Sequence, residues 1–454
     1  MSVRLGLRLR DNIYSFSSEV FSFPLECLSR HVCVFGRTGS GKSTTAKVLL
    51  FELLKNGVSA LVFDRVGEFN VFDGGRVLVP GQNFRVAPLA FDGDDVAYGV
   101  EGIVSLFNNF FFTTYFCPLS PLQSRVLRDV LEGYYYRFSE VMRVSRLVEE
   151  VRVVQSRYSR VKGWVEGCEA LVSRLYPFSR GVLAKVFDSS EDSLDDVLFH
   201  GLTVVDLSVL PTDEAKNFLT NVVCDRVYRL GKRLEPSNKL KLVILIDEAH
   251  NVAPSLPNYI GVLEKIAIEL RKYGVSLVTV STRPTLVSKN IIANSNLIIS
   301  HSLTSNEDIR LVLNYMVNEL EQESFIHVLR TLDVGEALVQ ANLPEYGCRA
   351  IKVKVGLPEH EHLISAKPKH ASKEDSGEVD DELKKVCEQI PAYVKRILYT
   401  IACTGENITV KSLPISRRKL KEIAYAYNVI EVKGDKIILT EYGSKIAKRL
   451  LAIK

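Results

Sequence analysis

The chain has 454 residues, 46% of them hydrophobic and 25% charged, with a formal net charge of +4. At roughly 150 residues per domain this length suggests two or three domains, and the near-average composition excludes wholesale disorder, collagen-like sequence and a coiled coil. The longest aliphatic runs, such as Leu242 to Ile246, fall far short of the ~18 apolar residues that a membrane span needs. From the N-terminus, Met1-Ser2-Val3-Arg4 and the residues after it alternate Val and Leu with Arg. No apolar signal segment is built there, so a cytoplasmic location is expected. The eight cysteines are scattered with no C-x-x-C pair, which gives neither a zinc site nor a disulfide framework.

The first structural signal is His31 to Phe35, a short apolar run that ends at a glycine-rich loop, with a helix expected over residues 44–55. Further apolar runs follow at 58–64, 241–248, 275–282 and 297–302. Runs of this length separated by helical stretches fit strands buried on both faces of a parallel sheet, so the expected fold is α/β, doubly wound and mainly parallel. Between the second and third runs, residues of about 115–195 carry helical spacing and few breakers, and read as an all-α insertion. Its arginines, Arg143, Arg146, Arg152, Arg157 and Arg160, are interleaved with Glu149 and Glu150, the pattern of a solvated helix face. Residues 1–356 are thus expected to form one α/β domain and 357–381, almost devoid of apolar side chains, a linker.

Residues 382–454 hold 15 Lys and Arg against 7 Asp and Glu, a net +8 that leaves −4 on the rest of the chain. Helices are expected over 391–404, 416–427 and 441–451, with a hairpin over 430–440 turning at Gly434-Asp435. Helix, helix, hairpin, helix is the pattern of a winged helix-turn-helix, whose second helix enters the major groove of DNA. Arg417, Arg418, Lys419 and Lys421 fall on that second helix, while Lys433 and Lys436 flank the hairpin turn. These six are the candidate DNA contacts; a solvated basic surface is the alternative.

The segment Gly36-Arg37-Thr38-Gly39-Ser40-Gly41-Lys42-Ser43, followed by Thr44, fits G-x-x-x-x-G-K-[ST] between a strand and a helix. Glycines let successive backbone N–H groups curl around phosphates, and the helix N-terminus adds its positive end. Lys42 is suited to the β- and γ-phosphates of ATP and the Ser43 hydroxyl to Mg2+. Asp247 and Glu248 follow the run Leu242 to Ile246, so a buried strand delivers both acids at its C-terminal end. Open α/β sheets place ligands there. Asp247 is suited to the Mg2+ shell and Glu248 to orienting and deprotonating the attacking water, which argues for ATP hydrolysis.

Several stretches together resemble the HerA-like branch of the HerA/FtsK ATPases, archaeal motors that translocate double-stranded DNA. They are Arg30-His31, Asp64-Arg65-Val66-Gly67-Glu68-Phe69 (similar to D-P-x-G-E-Y), Asp247-Glu248-Ala249-His250-Asn251, Glu269-Leu270-Arg271-Lys272-Tyr273-Gly274 (similar to R-E-G-R-K-Y-G) and Ser281-Thr282-Arg283-Pro284 (similar to S-Q-R-P). The resemblance covers about residues 25–355. It implies a RecA-like P-loop domain, a homohexameric ring with ATP at subunit boundaries, and Arg271 as an arginine finger on the neighbour's nucleotide; an ion pair of Arg271 with Glu269 or Glu264 is the alternative. Two positions depart from the pattern. Thr282 replaces the glutamine expected to sense the γ-phosphate and is short enough to need a bridging water, and Ile268 stands where the family's first arginine would be. Only 35 residues precede the phosphate loop, too few for the β-barrel that HerA proteins carry there. That barrel helps bind a nuclease partner, so its lack puts the nuclease partnership in question. The expected function is a ring-forming translocase or helicase on double-stranded DNA. An ATP-controlled DNA-binding switch and a secretion- or conjugation-type ATPase are the competing readings.

Overall fold

The computed structural model describes residues 2–9, 16–72, 74–138, 140–191, 199–257, 259–341, 350–365, 430–433 and 436–440. Two compact units divide the chain, Met1–Lys369 and His370–Lys454.

In the first unit, β1 (Ser2–Leu9) and β2 (Phe16–Pro24) precede β3 (Val32–Phe35), and α1 (Lys42–Lys55) leads to β4 (Ser59–Asp64) and the short β5 (Arg76–Leu78). Five helices follow: α2 (Val96–Tyr115), α3 (Pro121–Tyr135), α4 (Val144–Arg157), α5 (Lys162–Leu175) and α6 (Gly181–Phe187). Then come β6 (Leu202–Asp206), α7 (Asp213–Gly231), β7 (Leu242–Ile246), α8 (Val262–Glu269), β8 (Val275–Ser281), α9 (Lys289–Ala293) and β9 (Leu297–Ser300). The unit closes with α10 (Asn306–Met316), α11 (Gln322–Thr331), β10 (Glu336–Ala341), β11 (Ile351–Val355) and α12 (Glu361–Ser365).

All eleven strands form one sheet in the order β2-β1-β11-β10-β9-β3-β8-β7-β4-β6-β5. From β9 through β5 every neighbour is parallel. From β9 outward through β10, β11, β1 and β2 every pairing is antiparallel. The five strands expected from apolar runs are β3, β4, β7, β8 and β9. Successive residues along them alternate between two cores: Cys33, Phe35, Leu61, Phe63, Ile244 and Ile246 face the α2, α7 and α8 side, and Val32, Val34, Ala60, Val62, Val243 and Leu245 face α1. Burial on both faces is the physical reason for their unbroken apolar sequence.

The helical segment begins earlier than expected, at Val96 rather than near residue 115. Asp95 caps α2 by accepting from Tyr98 N–H. Gly99 and Gly102 weaken the helical reading of this stretch, yet Gly99 is demanded by packing, since a Cβ there would meet the Phe91 ring at 2.1 Å. Helices α2 to α6 are the crossover between the parallel neighbours β5 and β6. Arg143, Arg146, Arg152, Arg157 and Arg160 are exposed, and Arg146 pairs with Glu149 and Glu150 on its own helix.

The expected linker starts too early at 357. Leu357, His360 and Leu363 are buried, and the His360 and His362 rings stand T-shaped to Phe51 of α1 with ring centroids 5.3 and 5.5 Å apart. A few apolar and histidine side chains suffice to dock this segment, although its composition resembles a linker. In the second unit, β12 (Ile430–Lys433) and β13 (Lys436–Leu439) pair antiparallel as the expected hairpin, with Lys433 opposite Lys436. The three expected C-terminal helices lie outside the described residues. No helix among the described residues is long and apolar enough to cross a membrane.

Candidate functional site

The glycine-rich loop joins β3 to α1 through backbone shapes that its sequence permits. Gly36, Gly39 and Gly41 have φ of 153°, 76° and 113°, values that side chains with a Cβ rarely adopt. At Gly36 a Cβ would also lie 2.5 Å from Ser40 Oγ and 2.6 Å from His301 Cβ. Ser40 turns back into the loop, its Oγ donating to the Arg37 carbonyl at 2.7 Å, and Lys42 Nζ donates to the same oxygen at 3.0 Å. The loop is tied to the end of β9 by Arg37 N–H donating to the Ser302 carbonyl at 2.8 Å. His301 lies fully buried beneath it. Its Nδ1–H donates to the Glu336 carbonyl and its Nε2 accepts from Thr45 Oγ1, both at 2.8 Å. Burial drives its pKa down to about 4 and the nearby Lys42 charge adds to that, so a neutral ring supports the loop.

An open cleft of about 560 Å3 lies over the loop and the C-terminal ends of the central strands. Its walls bring together Thr38, Gly39, Gly41, Lys42, Ser43 and Thr44 with Asp247, Glu248 and Thr282, as the sequence leads one to expect. Gly36, Arg37 and Ser40 shape the loop from outside that lining. Lys47, Val66, Glu68 and Val334 also line the cleft and were not anticipated as site residues. For Glu68 a signal existed in the Asp64–Phe69 element. Asp64, at the end of β4, accepts N–H bonds from Val66, Gly67, Glu68 and Phe69 at 2.7 to 3.2 Å. One carboxylate thereby folds the whole turn that presents Glu68.

The cleft floor is strongly anionic. Burial raises the Asp247 pKa to about 7, and the charges of Glu248, Asp64 and Glu68 push in the same direction. The Lys42 ammonium is lowered by burial while Glu248, Asp247 and Glu68 pull it upward. Crowded carboxylates beside a hydroxyl are the donor set that suits a hard divalent cation, and Ser43 and Asp247 are the residues able to hold one.

Glu248 has φ 47° and ψ 51°, a left-handed conformation that is uncommon outside glycine. Its Oε2 accepts from Thr282 Oγ1 at 3.3 Å and lies 3.3 Å from His250 Nδ1. His250 Nδ1 is also 3.1 Å from Ser281 Oγ. Thr282 therefore contacts the candidate base directly, whereas the expectation was of a water-mediated reach to phosphate.

Arg271 is not in this cleft. It lies in the turn before Val275, at the N-terminal end of β8, whereas Thr282 follows the C-terminal end. Seven strand residues at ~3.3 Å each separate the two edges by roughly 20 Å. Neither alternative partner pairs with Arg271: Glu269 binds Lys232 at 2.6 Å and Tyr228 at 2.9 Å, and Glu264 is buried against Ser288 and the Gly261 N–H. The Arg30 charge lies close enough to lower the Arg271 pKa, after burial. Beside them, His31 is a buried cross-link, its Nε2 at 2.7 Å from the Ala267 carbonyl and its Nδ1 accepting from Leu277 N–H at 3.0 Å. Arg417, Arg418, Lys419 and Lys421 lie outside the described residues, and Lys433 and Lys436 end the two hairpin strands.

The profile of the family described as "Helicase HerA, central domain" matches residues 21–227, the stretch that contains the phosphate loop and the Asp64–Phe69 turn. Over these residues the chain is similar to the HerA branch of the P-loop ATPases. It is an ATPase. It is 25% identical over 350 residues to a protein named DNA double-strand break repair helicase HerA from Sulfolobus acidocaldarius, covering 75% of this chain and 67% of that one. The chain spans about two thirds of the length of the curated relatives it matches. In fold it is similar to VirB4 of Thermoanaerobacter pseudethanolicus, with a TM-score of 0.57 and 18% identity over 79% of this chain and 97% of that one. The plasmid coupling protein TrwB in complex with an ATP analogue is likewise similar, with a TM-score of 0.51 and 13% identity over 78% and 95%.

Proposed function

We propose that the chain is a subunit of a ring, hexameric in number, that hydrolyses Mg2+-ATP to translocate along or unwind double-stranded DNA. Lys42 binds the β- and γ-phosphates, and Ser43 and Asp247 hold Mg2+, which neutralises phosphate charge when bound. Glu248 orients the attacking water and takes its proton, with Thr282 and His250 fixing the carboxylate. Arg271 reaches the nucleotide of the neighbouring subunit, where a rigid cation at the γ-phosphate accelerates cleavage. The basic C-terminal unit grips duplex DNA through Arg417, Arg418, Lys419, Lys421, Lys433 and Lys436.

The observation that carries this reading is the position of Arg271. About 20 Å of buried strand separates it from the cleft of its own chain, and neither Glu269 nor Glu264 pairs with it. A second copy seated edge to cleft would add a further cation, Arg271, beside Lys42. The deciding experiment measures ATP turnover in a sized assembly, with and without linear duplex DNA of increasing length. A translocase gives turnover that rises with duplex length and DNA that is moved past a bound roadblock. Length-independent binding without movement supports an ATP-controlled switch instead. Indifference to DNA, with turnover stimulated by a protein substrate, supports a secretion- or conjugation-type ATPase.

A further inference from the structure

Two apolar side chains of the nucleotide cleft stand largely exposed, Val66 (63%) and Val334 (66%). They stand on different turns of its wall. Val66 is in the turn that carries Glu68, whose charge is felt at both Lys42 and Asp247, so it marks the carboxylate end. Val334 is in the turn before β10, which is bonded to the back of the phosphate loop. Gly335 N–H donates to the Ser40 carbonyl at 2.9 Å, and a Cβ on Gly41 would come within 3.1 Å of Gly335 Cα. That turn is itself held still. Asp333 N–H donates to Glu336 Oε2 at 3.1 Å, and Lys354 Nζ donates to the Val334 carbonyl at 2.7 Å.

A nucleoside triphosphate that aims its terminal phosphate at Glu68, Asp247, Glu248 and Thr282 must run its sugar and base past the remaining wall. That wall is Thr44, Lys47 and Val334. Thr44 and Lys47 suit hydroxyl and phosphate oxygens, whereas the flat face of a base needs apolar surface. A lone exposed valine is ordinary on a protein surface. This one is presented into the cleft by a turn wired to the phosphate cradle.

We propose that Val334 is the shelf on which the base of the bound nucleotide rests, and that the Asp333–Gly335 turn sets its distance from the phosphates. The proposal rests on the reading of this cleft as the ATP site. A valine offers no hydrogen bond to the base edge, so this contact favours a purine ring without distinguishing adenine from guanine.

The test compares dissociation constants of ATP, GTP and inorganic tripolyphosphate for the full-length chain and for Val334→Ser and Val334→Leu. Loss of one buried apolar contact weakens binding about tenfold. Val334→Ser is expected to lose that factor for ATP and GTP alike and to keep its affinity for tripolyphosphate, which has no base. Val334→Leu restores purine binding. Unchanged ATP affinity in Val334→Ser overturns the shelf, as does an equal loss for ATP and tripolyphosphate, which assigns the turn a purely structural role in the loop. Lys42→Ala separates the two readings: if it leaves both ATP and tripolyphosphate affinity intact, the cleft itself is misassigned.

Discussion

Glu248 occupies a left-handed backbone position that costs of order 1–3 kcal/mol in a non-glycine residue. Such strain persists where surrounding contacts fix it, here Thr282 Oγ1 and His250 on the carboxylate and Asn251 N–H on the Glu248 carbonyl at 3.0 Å. Binding and turnover should therefore separate. Lys42→Ala is expected to abolish tight ATP binding, because the phosphates lose the side-chain cation of the loop. Glu248→Gln should bind ATP normally and lose turnover by at least about a hundredfold, since an amide cannot take the proton of water. Equilibrium binding and steady-state hydrolysis on both variants check this; normal binding by Lys42→Ala contradicts it. A second residue-scale consequence concerns pH. Burial holds His31 and His301 at about 4 in the fold against 6.5 unperturbed. Between those values the unfolded chain binds more protons, so these groups contribute stability above pH 6.5 that is lost as pH falls towards 4, as much as about 3 kcal/mol each. Asp64, Asp225 and Asp247, all raised by burial, act in the opposite sense. The histidine share is thus the difference between the native chain and the His31→Gln, His301→Gln double variant. Denaturant unfolding at pH 7 and pH 4.5 should show that the double variant depends less on acid; equal dependence would refute the assignment. Lys42, Ser43, Asp247 and Glu248 were readable from sequence because the spacing itself encodes the chemistry. His301 was not, since a histidine after an apolar run carries no mark of the loop, about 260 residues away, that it supports.

At the scale of elements, the same contrast holds for strands. Strands β3, β4, β7, β8 and β9 are buried on both faces and spell out continuous apolar runs. Strands β1 and β11 alternate instead, as in Ile351-Lys-Val-Lys-Val355, and β10, buried throughout, has only the short apolar run Ala337-Leu-Val339 between Glu336 and Gln340, so none of the three can be told from loop by runs alone. The charged positions of β1 and β11 are the less buried ones, where one face of an antiparallel sheet reaches solvent. The α12 segment escaped for a related reason, because its docking uses only two buried apolar side chains, Leu357 and Leu363, and otherwise polar and ring contacts of Glu359, His360 and His362 with α1. Strand β8 also carries the functional argument. Thr282 and Arg271 flank the same rigid element at opposite ends, so a ring that closes edge to cleft places every Arg271 one subunit away from the Glu248 it serves. Mixing Arg271→Ala with Glu248→Gln subunits is then expected to restore part of the ATP turnover that each lacks alone. Interfaces with a sound Glu248 and a sound Arg271 occur only in the mixture. If no mixing ratio exceeds the separate variants while both still assemble, Arg271 does not act in trans.

At the scale of the whole molecule, charge is segregated. Residues 382–454 carry +8 and the remainder −4, and the compact units divide close by, after Lys369. Nucleotide chemistry and the positive charge thus lie on different units of one chain. Within the second unit, Lys433 and Lys436 are register partners across the hairpin. Arg417, Arg418, Lys419 and Lys421 fall in the first turns of the helix expected from the sequence, against the preference of a helix N-terminus for acids, a cost that an external anion would remove. With about five phosphate contacts, log affinity against log salt should fall with a slope of roughly −4 to −5 beyond whatever the first unit supplies. A chain ending at Lys369 keeps α12 and every cleft residue, so it is expected to retain basal ATP hydrolysis, bind duplex DNA more weakly and show a correspondingly shallower slope. Salt titrations of both chains on one short duplex decide the matter. Identical slopes would mean that the C-terminal unit makes no phosphate contacts and serves assembly or protein recognition instead.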